Sequence, residues 1–422
     1  MKATLAARNL RRYALVPFFP LVWPIAHAWP RRPGLWLFAY IHGYRDNPRY
    51  LFEHVLATAP AGVRPVWFAQ SKDEARKVRA TGGEAVWKRT PRAWLLQLRA
   101  GVVVLGSGPS ELNRPLLGRA LVVQTWHGAP FKRIHADFPQ GDVLLGGSGL
   151  LARLVDDVVR RATNASRRVD LVPSQSPLVS TRFQSAFQVG PDATPVLGTP
   201  RADVILRTGP AADREVAEVR DQVLPPGLRD ATRILLYAPT WRDGRDESFL
   251  ADGFDAAALD ALLAEHDAVL LIRLHPQMNA DVFRDAGVAS APRILFGAAG
   301  DVDVNVLLRA VYLLVTDYSA ISVDYAVLGR PIVYLMPDLA TYEGGRGTYE
   351  PPSAMTGGLH VDSWPALHAA LERAFTDPGP YTAAATAAAD RYFSHRDTES
   401  CARITADVLR RTGLRPAGST GP

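Results

Sequence analysis

The chain has 422 residues, of which 47% are hydrophobic and 21% charged, a globular composition that excludes collagen, coiled-coil and largely disordered chains. Its length predicts two or three domains, and a single cysteine, Cys401, excludes an intrachain disulfide and any multi-cysteine metal site. The formal charge of +6 is carried by residues 1–33, which hold six Lys and Arg and no Asp or Glu. The rest of the chain therefore has no net charge, which argues against nucleic-acid binding by the folded domains. The basic end favours contact with an anionic membrane.

The first predicted element is this basic, apolar head at residues 1–33. Pro17, Pro20 and Pro24 interrupt its apolar run, which is shorter than the ~20 residues of a membrane-spanning helix. We favour attachment to the membrane interface. A signal sequence, with residues 26–28 resembling a cleavage site, and a simple packing arm are the alternatives.

A first α/β domain is predicted for residues 34–206, because apolar strands alternate with helical stretches. The predicted strands are residues 35–40, 66–69, 102–105, 120–124, 171–173 and 196–197, and the predicted helices are residues 50–57, 91–98 and 150–162. The basic, aromatic segment 88–99 is either a solvated helix face or a second membrane contact. Residues 207–229, rich in proline and charge, are predicted to be a linker.

A second α/β domain is predicted for residues 230–412, followed by a flexible tail at 413–422. Its predicted strands are residues 233–237, 268–273, 293–296, 312–316 and 331–335, and residues 364–411 are predicted to be helical. Two such domains facing across a cleft would place a ligand at the carboxyl ends of the strands.

The most informative stretch of the first half is residues 122–132, where an apolar strand ends in Trp126-His127-Gly128. Glycine lets a substrate approach the backbone, and histidine exchanges protons near neutral pH. His127 and Gly128 are therefore candidates for an active site. A structural histidine at a strand end is the alternative.

In the second half, two strands end in polar stretches: Thr240 and Arg242 stand at the end of the first, and Arg273 and His275 at the end of the second. Because side chains alternate along a strand, Arg273 and His275 are expected on one face, where both suit a phosphate. The alternative is an arginine paired with a carboxylate and a buried histidine.

A further strand runs directly into a helix whose first turn holds Ser319 and Ser322. Free amides, hydroxyls and the helix dipole would favour an anion there. Helix capping by Asp317 or Ser319 is the alternative.

Metal and cofactor motifs give no comparable signal. Asp301 and Asp303 imitate an Asp-x-Asp metal motif, but they precede an apolar helical pattern and are better explained as a helix cap. The phosphate-loop, zinc-protease and serine-esterase signatures are absent from the sequence. We therefore expect neither a metal nor a cofactor.

Several short motifs follow one another in a characteristic order. They are Asp46-Asn47, Leu51-Phe52, Trp126-His127-Gly128 with Pro130 and Lys132, Gly198-Thr199-Pro200-Arg201-Ala202-Asp203, Ala238-Pro239-Thr240-Trp241-Arg242, His275-Pro276, Thr316-Asp317-Tyr318-Ser319 and Arg346-Gly347. In this order the chain resembles the CDP-glycerol glycerophosphotransferase family over residues 36–405. Thr199, Ala202 and Ala320 depart from the residues that the family often has.

The resemblance implies a GT-B fold, an α/β architecture of two doubly wound Rossmann-like domains facing a cleft, with the acceptor domain first. It implies transfer of a polyol phosphate, glycerol phosphate foremost, from CDP-glycerol or CDP-ribitol to a hydroxyl of a lipid-linked acceptor or a growing teichoic-acid-like polymer, releasing CMP. His127 would be the base, and His275 would stabilise charge on the pyrophosphate with Arg273.

The remaining site residues are assigned by the same resemblance. Donor contacts are expected from Thr240, Arg242, Arg273, Asp317, Ser319, Ser322, Asp324 and Arg346, and acceptor contacts from Gly128 and Lys132. The expected location is the cytoplasmic face of the cell membrane, as a peripheral protein, with homo-oligomerisation left open. A GT-B glycosyltransferase and a non-catalytic nucleotide- or polymer-binding protein are the alternatives.

Overall fold

The computed structural model describes residues 19–108, 111–137, 169–229, 233–241, 248–275, 278, 281–284, 287–296, 302–339, 342 and 347–414. The predicted helix at 150–162 lies outside the described residues.

The first domain is built on a parallel sheet with the strand order β3-β2-β1-β4-β5. Its strands are β1 (Arg32–Ala39), β2 (Arg64–Ala69), β3 (Ala85–Trp87), β4 (Ala100–Leu105) and β5 (Leu121–Gln124), and its helices are α1 (Phe19–Ala28), α2 (Asp46–Thr58), α3 (Lys72–Ala80) and α4 (Pro91–Arg99). Trp36 and Phe38 of β1 face one buried core, and Leu35 and Leu37 face another. Both faces are covered, as expected of a parallel sheet with an apolar sequence.

Two of the predicted strands are much reduced. Residues 171–173 and 196–197 contribute only isolated parallel bridges, Val123 to Leu171 and Ser174 to Val196. The short strand β3 was missed, because three residues of β-sequence carry too little pattern to identify. Three helices complete this part of the chain: α5 (Pro177–Phe187), α6 (Pro200–Leu206) and α7 (Pro210–Val223).

The second domain contains a parallel sheet with the strand order β11-β10-β9-β6-β7-β8. Its strands are β6 (Arg233–Ala238), β7 (Ala268–Ile272), β8 (Ile294–Phe296), β9 (Val311–Thr316), β10 (Ile332–Leu335) and β11 (His360–Val361). Its helices are α8 (Ala256–Glu265), α9 (Asp281–Arg284), α10 (Val304–Ala310), α11 (Ile321–Ala326), α12 (Ser353–Thr356), α13 (Trp364–Thr376) and α14 (Gly379–Tyr392), and α15 (Ser400–Thr412) ends the described chain. These two parallel sheets confirm the α/β class.

The predicted linker at 207–229 is largely the helix α7. Val219 and Val223 lie in a core that also contains Leu307 and Leu308 of α10. Arg309 of α10 adds an ion pair with Glu215 at 2.9 Å. The segment is therefore packed against the second domain, because one apolar stripe outweighs its charged residues.

The last helix, α15, packs on the first domain, although the sequence analysis assigned it to the second. Ile404 and Val408 are fully buried in the core that contains Trp36 and Phe38. At its start, the Asp203 carboxylate of α6 accepts hydrogen bonds from the backbone N–H groups of Ser400 (2.9 Å) and Cys401 (2.7 Å). The chain therefore crosses back to the first domain after α14.

We predict that Ile404→Ala lowers the free energy of unfolding by about 2–5 kcal/mol, because it leaves a cavity in a dense core. Hydrogen exchange should show lost amide protection in β1 and α2. The matched control is Leu371→Ala in α13, fully buried in the second domain, which should weaken protection in β6 and β10. If Ile404→Ala reduced amide protection equally in both sheets, the packing of α15 on the first domain would be contradicted.

Candidate active site

His127 lies just beyond β5, at the carboxyl edge of the first sheet, on a tightly turned backbone. Trp126 has φ 53° and Gly128 has φ 142°, values that L side chains rarely adopt. A Cβ at Gly128 would lie 3.0 Å from the Ala320 Cβ and 3.4 Å from an Arg201 guanidinium nitrogen. Glycine is therefore favoured here, because a side chain in this conformation would be strained and would crowd Ala320 of the second domain.

The fully buried side chain of Asn47, at the start of α2, holds this turn in place. Its amide nitrogen donates to the carbonyl oxygens of Trp126 at 2.8 Å and Thr125 at 3.3 Å. Its oxygen accepts from the Arg201 backbone N–H at 2.9 Å and the Thr199 hydroxyl at 3.1 Å. One amide thus joins three of the motifs identified in the sequence.

Next to Asn47, Arg201 forms a buried ion network between the domains. Its guanidinium pairs with Asp46 of α2 at 2.6 Å and with Asp324 of α11. Burial raises the pKa of Asp324, and the positive charge of Arg201 opposes that shift. Asp324 was expected to contact the donor, but its side chain is 3% exposed and pairs with Arg201.

The His127 side chain is exposed in the cleft and packs on the Trp126 ring, with the ring centroids 4.1 Å apart. Desolvation by the surrounding protein lowers the pKa of His127, and the charges of Arg201 and His42 lower it further, against the opposing effect of Asp46. The imidazole is therefore neutral at pH 7 and able to accept a proton.

A third histidine, His42, was missed by the sequence analysis. It is exposed in the loop between β1 and α2, where its ring meets the edge of Tyr40 at 5.2 Å. Desolvation lowers the pKa of His42, and the charges of Arg45 and His275 lower it further. His42 therefore interacts electrostatically with His127 of the first domain and with His275 of the second. The position of His42 after the carboxyl end of a central strand is the sequence feature that could have identified it.

Arg273 and His275 lie in the loop after β7, which ends at Ile272. Alternation along the strand therefore does not apply to them, and their placement on one face stays a prediction. The Arg273 guanidinium donates to the Val302 carbonyl at 3.3 Å. The His275 ring is exposed and stacks on Trp241, with an interplanar angle of 19° and centroids 5.7 Å apart.

Lys132 of the first domain reaches the opposite wall of the cleft. Its ammonium group lies 3.4 Å from the Thr240 hydroxyl, and its backbone bridges antiparallel to Thr348. The Thr240 backbone N–H donates to both carboxylate oxygens of Asp317, each at 3.0 Å. Lys132, expected on the acceptor side, therefore approaches the predicted donor residue Thr240.

The turn between β9 and α11 brings Ser319 and Ser322 together. The buried Ser322 hydroxyl donates to the Ser319 carbonyl at 2.7 Å, so that hydroxyl is engaged within the turn. Helix α11 has six residues, and its N-cap, Ala320, makes no side-chain capping bond. The capping by Asp317 or Ser319 considered from the sequence is not formed, because Asp317 binds the Thr240 amide instead.

Three other predicted positions, Arg242, Arg346 and Asp301, lie outside the described residues. Asp303 caps α10 by accepting from the Asn305 backbone N–H at 3.0 Å, which confirms the cap interpretation. Within the described part of the chain, His, Cys, Asp and Glu side chains form no group that could hold a metal ion. Across the same ranges, every helix is too short or too polar to cross a membrane.

A family model, CDP-glycerol:poly(glycerophosphate) glycerophosphotransferase, matches residues 22–410. The chain is 26% identical to the teichoic acid glycerol-phosphate transferase of Staphylococcus aureus, covering 88% of this chain and 92% of that protein. It is 25% identical to the teichoic acid poly(glycerol phosphate) polymerase of Bacillus spizizenii, covering 80% of this chain and 83% of that one. It spans only 40% of the Staphylococcus epidermidis polymerase, at 27% identity over 72% of this chain.

Among solved structures, the wall teichoic acid polymerase TagF matches with a TM-score of 0.73 at 21% identity, covering 97% of both chains. The UDP-GlcNAc 2-epimerase of Neisseria meningitidis matches with a TM-score of 0.53 at 10% identity, covering 89% of this chain and 99% of that one. With the two parallel sheets described above, the likeness to TagF confirms the GT-B-like fold.

We predict that Asn47→Ala destabilises the protein by several kcal/mol, because each buried partner left unpaired costs about 1–3 kcal/mol. Urea unfolding followed by tryptophan fluorescence would measure the loss. Asn113→Ala is the control, since the Asn113 amide makes one long hydrogen bond of 3.4 Å to the Lys88 carbonyl. Equal free energies of unfolding for the two variants would contradict the structural role assigned to Asn47.

Proposed function

Because the chain belongs to the CDP-glycerol:poly(glycerophosphate) glycerophosphotransferase family and is thus a phosphotransferase, we propose that it transfers glycerol phosphate from CDP-glycerol to a hydroxyl of a lipid-linked acceptor or a growing teichoic-acid-like polymer. The observation that carries the proposal is His127, a neutral histidine held on a strained turn and exposed to the cleft. Glycerol is favoured over ribitol because the Staphylococcus aureus transferase and the Bacillus spizizenii polymerase, covered over 92% and 83% of their lengths, are both named for glycerol phosphate.

In the proposed reaction, the acceptor oxygen attacks the β-phosphorus of CDP-glycerol in line with the departing CMP. A new P–O bond forms to the acceptor while the P–O bond to CMP breaks, and CMP leaves with the electron pair. His127 takes the proton of the attacking hydroxyl. Charge gathers on the phosphoryl oxygens, so fixed cations and polar groups around them stabilise the transition state.

The groups proposed for the donor phosphates line the second-domain side of the cleft. Arg273 and His275 provide a guanidinium and an imidazole after β7, and Thr240 and Ser319 add hydroxyls after β6 and β9. Lys132 approaches the same place from the first domain. Asp317, Ser322 and Asp324 are engaged in internal contacts, so we give them the role of shaping these loops.

Arg242 and Arg346 remain proposed donor contacts, although both lie outside the described residues. Gly347, which follows Arg346, accepts a hydrogen bond from the Arg133 backbone N–H at 3.3 Å.

The two histidines should be separable by mutation. His127→Ala should reduce turnover by roughly 10²–10⁴ while leaving CDP-glycerol affinity nearly intact, because a general base acts on the acceptor. His275→Ala should weaken donor binding as well as slow transfer, since a charge-assisted contact contributes about 1.5–3 kcal/mol. Titration calorimetry with CDP-glycerol and single-turnover rates would measure both effects.

Circular dichroism would verify that both variants are folded. Because burial lowers the pKa of His127 to about 4, the wild-type rate should fall only as the pH approaches about 4, where the imidazole becomes protonated. Lost donor affinity in His127→Ala with normal affinity in His275→Ala would exchange the two roles.

We also propose peripheral attachment to the cytoplasmic face of the cell membrane through a patch defined by Ile25, Trp29, Trp94 and Leu95. These large apolar side chains are between 36% and 56% exposed. They belong to α1, the residue after it and α4, and exposed apolar patches of this kind commonly contact a partner or a membrane.

Arg31 joins the two segments that carry this patch. Its guanidinium donates to the Ala26 carbonyl at 2.7 Å, at the end of α1, and to the Gln97 carbonyl at 2.9 Å in α4. The exposed Arg32, Arg89 and Arg92 nearby in sequence supply positive charge for an anionic surface. Both candidate membrane contacts from the sequence are therefore combined in this proposal.

Replacing Trp94 and Leu95 together by glutamate should greatly reduce sedimentation of the protein with phosphatidylglycerol-containing vesicles. Attachment of the unaltered protein should weaken as salt rises, because the charge attraction is screened. The control variant has the same added charge on exposed residues of α14, through Ala383→Glu and Ala387→Glu. It should bind vesicles as well as the unaltered protein does. Vesicle binding by the Trp94/Leu95 variant equal to that of the unaltered protein would contradict membrane attachment through this patch.

A further inference from the structure

Arg182 is a buried arginine of α5 that the proposed reaction does not use. One nitrogen of its guanidinium donates to the Pro130 carbonyl of the first domain at 2.9 Å and to the Tyr392 hydroxyl of α14 at 2.8 Å. The other terminal nitrogen pairs with the Glu350 carboxylate of the second domain at 2.9 Å. A single guanidinium thus joins the first domain to two segments of the second.

Residues 131–133 of the first domain and residues 347–349 of the second form a short antiparallel pair, the interdomain bridge. Lys132 lies opposite Thr348, and backbone hydrogen bonds of 3.0 and 3.3 Å flank this pair. In this register the residues next along each segment, Pro130 and Glu350, also lie opposite each other. The contacts of Arg182 with both of them therefore hold one end of the interdomain bridge.

The register of the interdomain bridge decides where Lys132 points. Its ammonium group lies 3.4 Å from the Thr240 hydroxyl, among the residues proposed for the donor phosphates. A shift of one residue in a paired segment turns its side chains to the opposite face, so it would direct Lys132 away from Thr240. Two backbone hydrogen bonds specify a register weakly, and Arg182 adds the contacts that select the observed one.

The Arg182 guanidinium is itself held in a fixed orientation. Its central carbon lies 5.3 Å from the centre of the Tyr349 ring and 5.2 Å from that of Tyr392. The Tyr392 hydroxyl also donates to the Glu350 carboxylate at 2.7 Å. A planar guanidinium can contact rings, a carbonyl and a carboxylate together, which the ammonium group of a lysine cannot do in the same way.

Resting on the donor contact proposed above for Lys132, we propose that Arg182 is a positioning residue for donor binding. It fixes the register of the interdomain bridge and thereby places the Lys132 ammonium group at the phosphates of CDP-glycerol. Donor affinity is then coupled to a contact between the domains that the donor itself does not touch.

Arg309 offers a matched control. Its side chain is 6% exposed, against 5% for Arg182, and it pairs with Glu215 at 2.9 Å. Arg309 lies in α10 just before β9, at the amino edge of the second sheet, whereas the proposed donor residues follow the carboxyl ends of the strands. Replacing either arginine breaks a buried ion pair, but the Arg309 pair has no part in the interdomain bridge.

The test measures CDP-glycerol affinity by titration calorimetry for Arg182→Gln, Lys132→Met and the variant that combines them. Each single substitution should weaken affinity by about 10–100-fold, the effect of losing one charge-assisted contact. The combined variant should bind within about twofold of the weaker single variant, because both changes remove the same contact. Arg309→Gln should keep affinity within about twofold, because it lies at the opposite edge of the sheet.

Should Arg182→Gln fail to fold, Arg182→Lys replaces it, because lysine keeps the charge but lacks the planar fork. This variant should weaken donor affinity when Lys132 is present and should have no further effect in Lys132→Met. Additive losses for the Arg182 and Lys132 variants, or unchanged affinity in either folded single variant, would overturn the inference. If the unaltered protein did not bind CDP-glycerol, the proposed donor itself would be refuted, so the two failures are distinguishable.

Discussion

The amide of Asn47 is the contact on which the architecture of the site depends. It is fully buried and uses both its donor and its acceptor, so the start of α2, the turn before His127 and the start of α6 are held at fixed distances. The turn needs this support because Trp126 and Gly128 have backbone conformations that are unfavourable for most residues. A buried amide can supply it because an unpaired polar group in the interior would be costly.

The same part of α2 also sets the relation between the two domains. Arg201, positioned by Asn47, pairs with Asp46 and with Asp324 of the second domain. About one helical turn from Asp46, the Tyr50 hydroxyl donates to Asp303 at 2.7 Å. Buried polar contacts of this kind specify one geometry better than apolar packing does, since few other arrangements satisfy every donor and acceptor. The width of the cleft is therefore linked to the turn that carries His127.

Much of the fold could be predicted because long apolar strands carry a strong local pattern. Strands β1, β4, β6 and β9 were found close to their observed bounds. The isolated bridges near Leu171 and Val196 and the helix α7 were interpreted less well, because short or charged segments acquire their structure from the partners against which they pack. Assignment of α15 failed for the same reason: its apolar stripe is visible in the sequence, but the sheet that it covers is not.

For the site, the sequence by itself determined which residues are candidates for the reaction, because the order of the motifs around His127, Thr240 and His275 is a property of the sequence. Tertiary structure alone decided which groups these residues contact. It engaged Asp324 in an ion pair, directed Lys132 towards Thr240, and added His42, which belongs to no recognised motif. The physical reason is that hydrogen bonding and desolvation depend on neighbours distant in the chain, and a linear pattern does not record how those neighbours meet.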